Sequence, residues 1–304
     1  MRITQRSMTA NSLAGLNSNL AAVAKLQNQL TAGKVISRPS DSPTGTNTSM
    51  QTRSALGAVT QQARNISDAQ SWLDQTYSTM TNMIDVTQQA RDLTIQGLNG
   101  GANSVDASAA ISKQISALRD SLLGMANATV GGRPIFGGVT AGAAAYDADG
   151  MYVGVPAVGD PVPITRRISD AESIRIDVTG PEAFGAPDDV FAVLGRIAAK
   201  LDPPGDPAPA VDVDALADDL TALDGALRSM LSGVAGISAK AARVETAASL
   251  NQDRSLSLTT RLSSVEDVDL AKTTMELQMQ QVTYQAALSV TSQTLQQSLV
   301  DFLR

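Results

Sequence analysis

The hydrophobic positions near the start of the chain repeat at alternating steps of three and four residues. The series is Leu13, Leu16, Leu20, Val23 and Leu30, with Gln27 as its polar member. This spacing forms an apolar seam along one side of a helix, so the sequence predicts a first helix over residues 3–32. Only Arg6 and Lys25 are charged in this span, which is few for a helix that faces water.

The stretch GKVISRPSDSPTG at residues 33–45 interrupts this pattern. Gly33 suits the C-terminal cap of a helix, and Pro39 cannot continue one. Ser42 followed by Pro43 suits the N-terminal cap and first turn of a new helix. The sequence therefore predicts a joint between two helices, made by Gly33, Pro39, Ser42 and Pro43.

The pattern then resumes for about 55 residues. Its apolar members include Leu56, Val59, Ala63, Ile66, Leu73, Tyr77, Met80 and Ile84, with Gln70 as the polar member. The pattern predicts a helix over residues 43–98, about 80 Å long at 1.5 Å per residue. A third helix follows and ends near residues 129–134.

The second half of the chain mirrors the first around a different kind of segment. Residues 133–187 are rich in Gly and Pro, and Ile174, Ile176 and Val178 alternate with polar residues, which predicts a small β-rich insert. A short helix ends at residue 201. Fourteen of sixteen heptad positions from Val213 to Val265 are apolar, which predicts a long partner for the 43–98 helix. Polar SSVEDVD at residues 263–269 precedes the last helix.

These elements predict a mainly α fold, an elongated antiparallel helical bundle or coiled coil with paired terminal helices. The expected regions are an N-terminal helix and joint at 1–42, bundle helices at 43–132, the β-rich insert at 133–187, bundle helices at 188–265 and a C-terminal helix at 266–304.

The first helix has two interpretations. Its ten Ser, Thr or Asn residues each cost on the order of 0.5 kcal/mol of helix propensity. Burial of its seam residues returns about 1.5 to 3 kcal/mol each. The helix therefore needs a partner, either as an ordinary coiled-coil arm or as an end that becomes ordered only inside an assembly.

Composition excludes several functions. The chain has no Cys and no His, its net charge is -7, and it has no Lys/Arg-rich block, so thiol or histidine catalysis and nucleic-acid binding are not expected. No stretch approaches a membrane span, and the start does not resemble a cleaved signal peptide. The carboxylates at residues 41–43 and 147–149 are expected in solvated turns. We therefore expect no enzyme, metal or cofactor.

Several specific strings resemble the bacterial flagellin superfamily. They are MRIT at the start, LTAGKVISRPSDSPTG, ARNISDAQSWLDQTYSTM, GGRPIFGG, and YQAALSVTSQTLQQSLVDFL near the end. Within the superfamily, PSDSPTG and the VDFLR end are more similar to the hook-filament junction proteins than to filament flagellins. A filament flagellin is the alternative, and a cytoplasmic signalling coiled coil is a more distant one.

The resemblance implies export in an unfolded state through the flagellar type III pathway, from a transient cytoplasmic stage to the extracellular flagellum. It implies a ring of subunits between a second hook-associated junction protein and the first flagellin, and a cytoplasmic export chaperone as an earlier partner. It also implies that the terminal helices pair. The N-terminal residues of that pair would be Leu13, Leu16, Leu20, Val23 and Leu30, and the C-terminal residues Leu288, Leu295, Leu299 and Phe302.

Overall fold

The computed structural model describes residues 5–99, 105–140, 142–155, 162–185, 188–203 and 212–302, and only the backbone of residues 5, 6, 8, 9 and 293–302. The helices of this part of the chain are α1 (Gln5–Ala32), α2 (Pro43–Leu98), α3 (Val105–Ala126), α4 (Gly180–Phe184), α5 (Val190–Leu201), α6 (Val213–Glu266) and α7 (Leu270–Phe302). Its strands are β1 (Thr129–Val130), β2 (Arg133–Pro134), β3 (Thr165–Arg167) and β4 (Ser173–Arg175). The mainly α fold is confirmed.

The chain forms two compact units. The end unit contains Met1–Val59 and Asp253–Arg304, and the middle unit contains Thr60–Gln252. In the end unit, α1 packs on α7. Both α2 and α6 contribute to each unit.

In the middle unit, α2 and α6 each contain a series of residues seven positions apart that is buried throughout. On α6 these residues are Leu216, Leu223, Met230, Ile237 and Val244, all fully buried. On α2 the corresponding residues are Ile66, Leu73, Met80, Thr87 and Thr94. A period of seven keeps the same side of each helix toward its partner, as in a coiled coil. The heptad pattern predicted for α6 is therefore confirmed except at its first position, Val213, which is 46% exposed.

The other half of the α2 seam differs from the prediction. Tyr77 was predicted to lie in the seam but is 46% exposed. The buried series contains Ala69, Thr76, Met83 and Ala90, and each of these positions is one residue before a position of the heptad series that contains Tyr77. Thr76 is compatible with burial because its hydroxyl donates a hydrogen bond to the carbonyl of Trp72 at 2.7 Å. Buried threonines with satisfied hydroxyls pack as apolar groups, which a hydrophobic pattern alone does not reveal.

The insert combines two short hairpins with an aromatic core. Strand β1 pairs antiparallel with β2, and β3 pairs antiparallel with β4, with Arg166 opposite Ile174. Ile174, Ile176 and Val178 are buried, as predicted. The core is a cluster of rings whose neighbouring centroids lie 4.7–5.8 Å apart, formed by Phe136, Tyr146, Tyr152, Phe184 and Phe191. Five of the nine aromatic residues of the chain are thus concentrated in one cluster.

The end of α3 fixes the insert through one polar side chain. Asn127 Oδ1 accepts hydrogen bonds from the backbone N–H groups of Ala145 (2.8 Å) and Tyr146 (2.9 Å), and Asn127 Nδ2 donates to the Tyr146 carbonyl. This arrangement satisfies the amide on both sides and holds the loop that carries Tyr146 in the ring cluster. None of the helices that the structure describes is both long and apolar enough to cross a membrane.

Candidate assembly site at the paired ends

Two connecting segments meet beside the terminal helices, and together they are called the joint here: residues 33–42 between α1 and α2, and residues 267–269 between α6 and α7. The Val35 N–H donates to the Glu266 carbonyl at 2.7 Å, and the Val268 N–H donates to the Gly33 carbonyl at 3.1 Å. Lys34 and Asp267 form an antiparallel bridge. The two breaks in the helical pattern therefore bind each other through their backbones.

A single carboxylate anchors this joint. Glu266 accepts hydrogen bonds from Lys34 Nζ at 2.7 Å, from Arg53 Nη2 at 2.7 Å and from the Ser49 hydroxyl. Its side chain is only 5% exposed. Arg53, then Lys34 and Ser49, stabilise the charged form and lower the pKa of Glu266 to about 2. Glu266 thus connects the end of α6 to the first part of α2 and to Lys34.

The break between α1 and α2 is built by local hydrogen bonds. Gly33 has a positive φ of 68°, as expected of a residue that ends a helix in the left-handed region. The Ser42 hydroxyl accepts a hydrogen bond from the Gly45 N–H at 3.1 Å, and Pro43 is the first residue of α2. The capping roles predicted for Gly33 and Ser42 are confirmed. The wider role of the joint in assembly is a proposal.

The turn around Pro39 is held by the carboxylate that follows it. Asp41 Oδ2 accepts hydrogen bonds from the backbone N–H of Arg38 at 2.9 Å and from the backbone N–H and hydroxyl of Ser37. These bonds, the one from Arg38 first, lower the pKa of Asp41. Asp147 similarly accepts hydrogen bonds from the N–H groups of Asp149 and Met151. Both carboxylate motifs lie in turns, and the described residues contain no group of three His, Cys, Asp or Glu residues that could hold a metal ion.

The terminal helices pair through a seam that is shifted from the predicted one. Leu16, Val23 and Leu30 lie on the partly buried side of α1, as predicted. Leu13 is 54% exposed and Leu20 is 50% exposed, so this part of the prediction is wrong for the single chain. The partly buried positions between the three shared residues include Asn19 and Leu26.

The physical reason is that two heptad frames share Leu16, Val23 and Leu30. One frame continues through Leu13 and Leu20, and the other through Asn19 and Leu26, on opposite flanks of the shared line. The structure uses the second frame, in which Gln280 Nε2 of α7 donates to Asn19 Oδ1 at 3.2 Å. The buried frame therefore contains a polar contact between the helices, whereas apolar content favoured the other frame.

Helix α7 faces α1 with a narrow side and leaves a second apolar stripe uncovered. The partly buried positions are Leu277, Gln280, Tyr284, Ala287 and Thr291, with Thr273 buried. The exposed series on a different face, called the outer stripe here, is Met275, Met279, Val282, Ala286 and Val290. The four larger members are 62–71% exposed.

The four C-terminal pairing residues predicted from the sequence divide into two groups. Leu288 is 44% exposed and lies off the side that faces α1, which corrects its predicted pairing in the single chain. Leu295, Leu299 and Phe302 fall outside the residues whose side chains the structure describes. Their pairing with the first helix stays a prediction.

Lys34, Ser49, Arg53 and Glu266 belong to the site but were not predicted from the sequence. Glu266 lies 213 residues from Arg53 and 232 from Lys34 along the chain. The only local signal was the position of Lys34 and Glu266 directly beside the two breaks in the helical pattern. No spacing rule connects residues at such separations.

The paired terminal helices and the heptad patterns interrupted at the joint define a helical-bundle protein with paired ends. The comparison with known families agrees with this class. The chain belongs to the bacterial flagellin family. The bacterial flagellin N-terminal helical region matches residues 3–141, and the C-terminal helical region matches residues 220–303, so that together they cover more than half of the chain.

Two curated relatives are more specific. Flagellar hook-associated protein 3 of Salmonella typhimurium is 26% identical over 306 residues, which cover 94% of this chain and 95% of that protein. The protein of the same name from Escherichia coli is 28% identical over 308 residues, with the same coverage.

Solved structures share the fold. FlgL of Bacillus cereus superposes with a TM-score of 0.59 at 21% identity, over 70% of this chain and 99% of that one. The flagellar junction protein FlgL of Legionella pneumophila superposes with a TM-score of 0.56 at 14% identity, over 73% of this chain and 100% of that one.

Proposed function

We propose that this chain is a structural subunit of the bacterial flagellum that joins the hook to the filament, and that it is not an enzyme. The observation that carries the proposal is the similarity to flagellar hook-associated protein 3 along 94% of the chain. The helical fold alone fits a filament flagellin equally well. The full-length similarity favours the junction protein.

In this proposal the chain leaves the cytoplasm unfolded, through the flagellar type III pathway, and functions outside the cell. A cytoplasmic export chaperone binds it before export. Its final neighbours are further copies of itself in a ring, a second hook-associated junction protein on the hook side and flagellin on the filament side.

The terminal helices are the proposed assembly surface. The outer stripe of α7 exposes a contiguous row of methionine and valine side chains, and Leu13 and Leu20 of α1 are also exposed. A soluble monomer gains nothing from such a stripe, whereas an assembly buries it. The joint then sets the direction in which the terminal helices leave the rest of the chain, with Gly33, Pro39, Ser42 and Pro43 on one side and residues 267–269 on the other.

Deletion of the gene tests the junction role. Cells that lack the protein should build hooks without filaments and release unpolymerised flagellin into the medium, and a plasmid copy should restore filaments. Hooks that carry normal filaments in the deletion strain contradict the proposal. A filament flagellin would give a different result, namely no flagellin in the medium.

The substitution Met279→Glu tests the assembly surface. Because Met279 is 71% exposed, the carboxylate should change the stability of the free chain by no more than about 0.5 kcal/mol. In an assembly, the same carboxylate would be buried without a partner, at a cost of about 3–5 kcal/mol. We expect normal secretion and few filaments, counted by electron microscopy.

The control is Gln285→Glu, which adds the same charge to an exposed polar face of α7. It should leave filament number unchanged. Equal effects of Met279→Glu and Gln285→Glu, or normal filaments with Met279→Glu, would show that the outer stripe is not an assembly surface.

A further inference from the structure

A groove of about 520 Å³ lies in the middle unit between α6 and the insert. The α6 side of the groove presents residues at successive steps of four, which places them on one face of the helix. These residues are Arg228, Ser232, Gly236 and Lys240. The insert side presents Arg175 and Glu182. We call this the basic groove.

Two of the three cations in the basic groove have no carboxylate partner among the described residues. Arg175 pairs with Asp177 at 3.0 Å and with Glu182 at 2.7 Å. Lys240 Nζ instead donates to the carbonyl of Asp177 at 3.2 Å, and Arg228 Nε donates to the carbonyl of Asp224 at 3.2 Å. Burial, and then the charge of Arg175, lower the pKa of Lys240, and the charges of Asp177 and Glu182 oppose this shift. An added anion would offset the repulsion between Lys240 and Arg175.

The floor of the basic groove is open. Gly236 lies inside a helix, where glycine is disfavoured, and a Cβ added there would meet no atom within 4 Å. The neighbouring Gly233 differs, because a Cβ there would meet the Met80 methyl carbon at 2.9 Å. Contact with Met80 therefore accounts for a glycine at position 233, whereas packing within the chain does not account for a glycine at position 236. A smooth floor at Gly236 and Ser232 permits another helix to approach closely.

The same chain carries a complementary acidic patch. Asp214 and Asp218 are exposed near the start of α6, one helical turn apart, and no cation among the described residues pairs with them. The described helices contain no other pair of acidic residues three or four positions apart. The patch is therefore a helical segment with two free carboxylates on one face.

We propose that the basic groove of one copy binds the Asp214–Asp218 patch of a neighbouring copy. The inference rests on the proposed function, which brings many copies together. A second copy fits better than a small anion, because the helix face between Arg228 and Lys240 extends about 18 Å, more than a single anion spans. A weak contact is sufficient, because assembly makes the local concentration of partners high.

The contact has a consequence for geometry. It joins two different surfaces, so each copy can bind one neighbour at its groove and another at its patch. The centres of the two surfaces are about 27 Å apart along α6. Neighbours whose α6 helices run parallel are then staggered by about that distance.

Cysteine cross-linking tests the contact directly, because the chain contains no cysteine. Ser232→Cys places a thiol on the groove floor, and Ala217→Cys places one beside the two carboxylates. The doubly substituted protein, assembled on flagella in cells and then oxidised, should give disulfide-linked dimers and higher multimers. The controls are each single variant and the pair Ser232→Cys with Ser257→Cys. Each control should give at least fivefold fewer disulfide-linked multimers.

Charge reversal completes the test. In the cross-linking background, Arg228→Glu with Lys240→Glu should reduce multimers at least fivefold, and adding Asp214→Lys with Asp218→Lys should restore them. Absence of multimers in the double-cysteine protein, multimers that persist after the first reversal, or failure of the second reversal to restore them would each overturn the inference. If filaments are present, any of these results contradicts the contact but not the junction role. Failure of the wild-type gene to restore filaments to a deletion strain would contradict the junction role itself.

Discussion

At the scale of single residues, Glu266 is the group on which the joint depends. Its buried carboxylate binds two cations and a hydroxyl that come from α2 and from the segment after α1. A buried carboxylate without these partners would be strongly unfavourable, so the partners and the carboxylate stabilise the joint only together.

The substitution Glu266→Gln should destabilise the chain by about 1–3 kcal/mol at neutral pH, the usual range for hydrogen bonds that involve a charged group. The pKa of Glu266 is about 2 in the folded chain, against an ordinary value of 4.5. The stabilisation is therefore complete above about pH 4.5 and is lost as the pH falls through 2. The free energy of unfolding, measured with urea, should differ between wild type and variant at pH 7. This difference should decrease as the pH falls toward 2.

Asp253→Asn is the matched control, since Asp253 is an exposed carboxylate on the same helix. Its effect should be within about 0.5 kcal/mol at every pH. A difference between wild type and Glu266→Gln that stays constant from pH 7 to pH 2 would show that the charge of Glu266 does not stabilise the fold.

Two glycines of the end unit should respond in opposite directions to substitution by alanine. Gly33 has a φ of 68°, so Gly33→Ala should destabilise by about 1–2 kcal/mol. Gly15 lies inside α1 with open space around it, so Gly15→Ala should stabilise by about 0.5–1 kcal/mol. Thermal unfolding monitored by circular dichroism distinguishes the two. Changes of the same sign would mean that the backbone at Gly33 is not restrained.

At the scale of elements, the sequence predicted the helices better than their faces. The predicted span 43–98 is identical to that of α2, and α1 ends at Ala32 as predicted. The faces were less accurate, because a helix with apolar residues on several sides has more than one heptad frame. In α2 threonines occupy the buried frame, and in α1 the polar residue Asn19 does, so a hydrophobic pattern reveals neither frame.

The prolines of the joint give a prediction at this scale. Replacing Pro39 and Pro43 with Ala removes two barriers to a continuous helix from α1 into α2 and should stiffen the joint. We expect secretion at the wild-type level and a marked loss of filaments, measured by immunoblotting of the medium and by electron microscopy.

Pro181→Ala is the control, because Pro181 occupies the first turn of α4 in the middle unit. It should leave filament number unchanged. Normal filaments in the variant that lacks Pro39 and Pro43 would reduce the break to an incidental turn.

At the scale of the whole molecule, charge is distributed unevenly. The chain has a net charge of -7, yet α1 carries only Arg6 and Lys25, and α7 carries only Lys272, Glu276 and Asp301. Association through these helices therefore depends on burial of apolar surface. Association through the basic groove depends on charge.

Sulfate should separate these two contributions. Because it strengthens the burial of apolar groups, increasing sulfate should promote self-association of the purified chain, measured by analytical ultracentrifugation. Met279→Glu should weaken this association. Arg228→Glu with Lys240→Glu should leave it unchanged, because salt screens the charged contact. Association that decreases as sulfate increases would contradict a dominant role for the apolar ends.

The sequence by itself determined the span of α2 and the two breaks, because heptad periodicity and Gly or Pro stops are local signals. It was wrong about the end of the third helix, which ends at Ala126 rather than near residues 129–134, and it missed α4 inside the insert. The specific strings also indicated the flagellin family. Only the tertiary structure decided which heptad frame of α1 and α2 is buried, that Glu266 binds Lys34 and Arg53, and that Arg228 and Lys240 share a groove with Arg175. Each of these depends on contacts between residues far apart in the chain, and no local pattern records them.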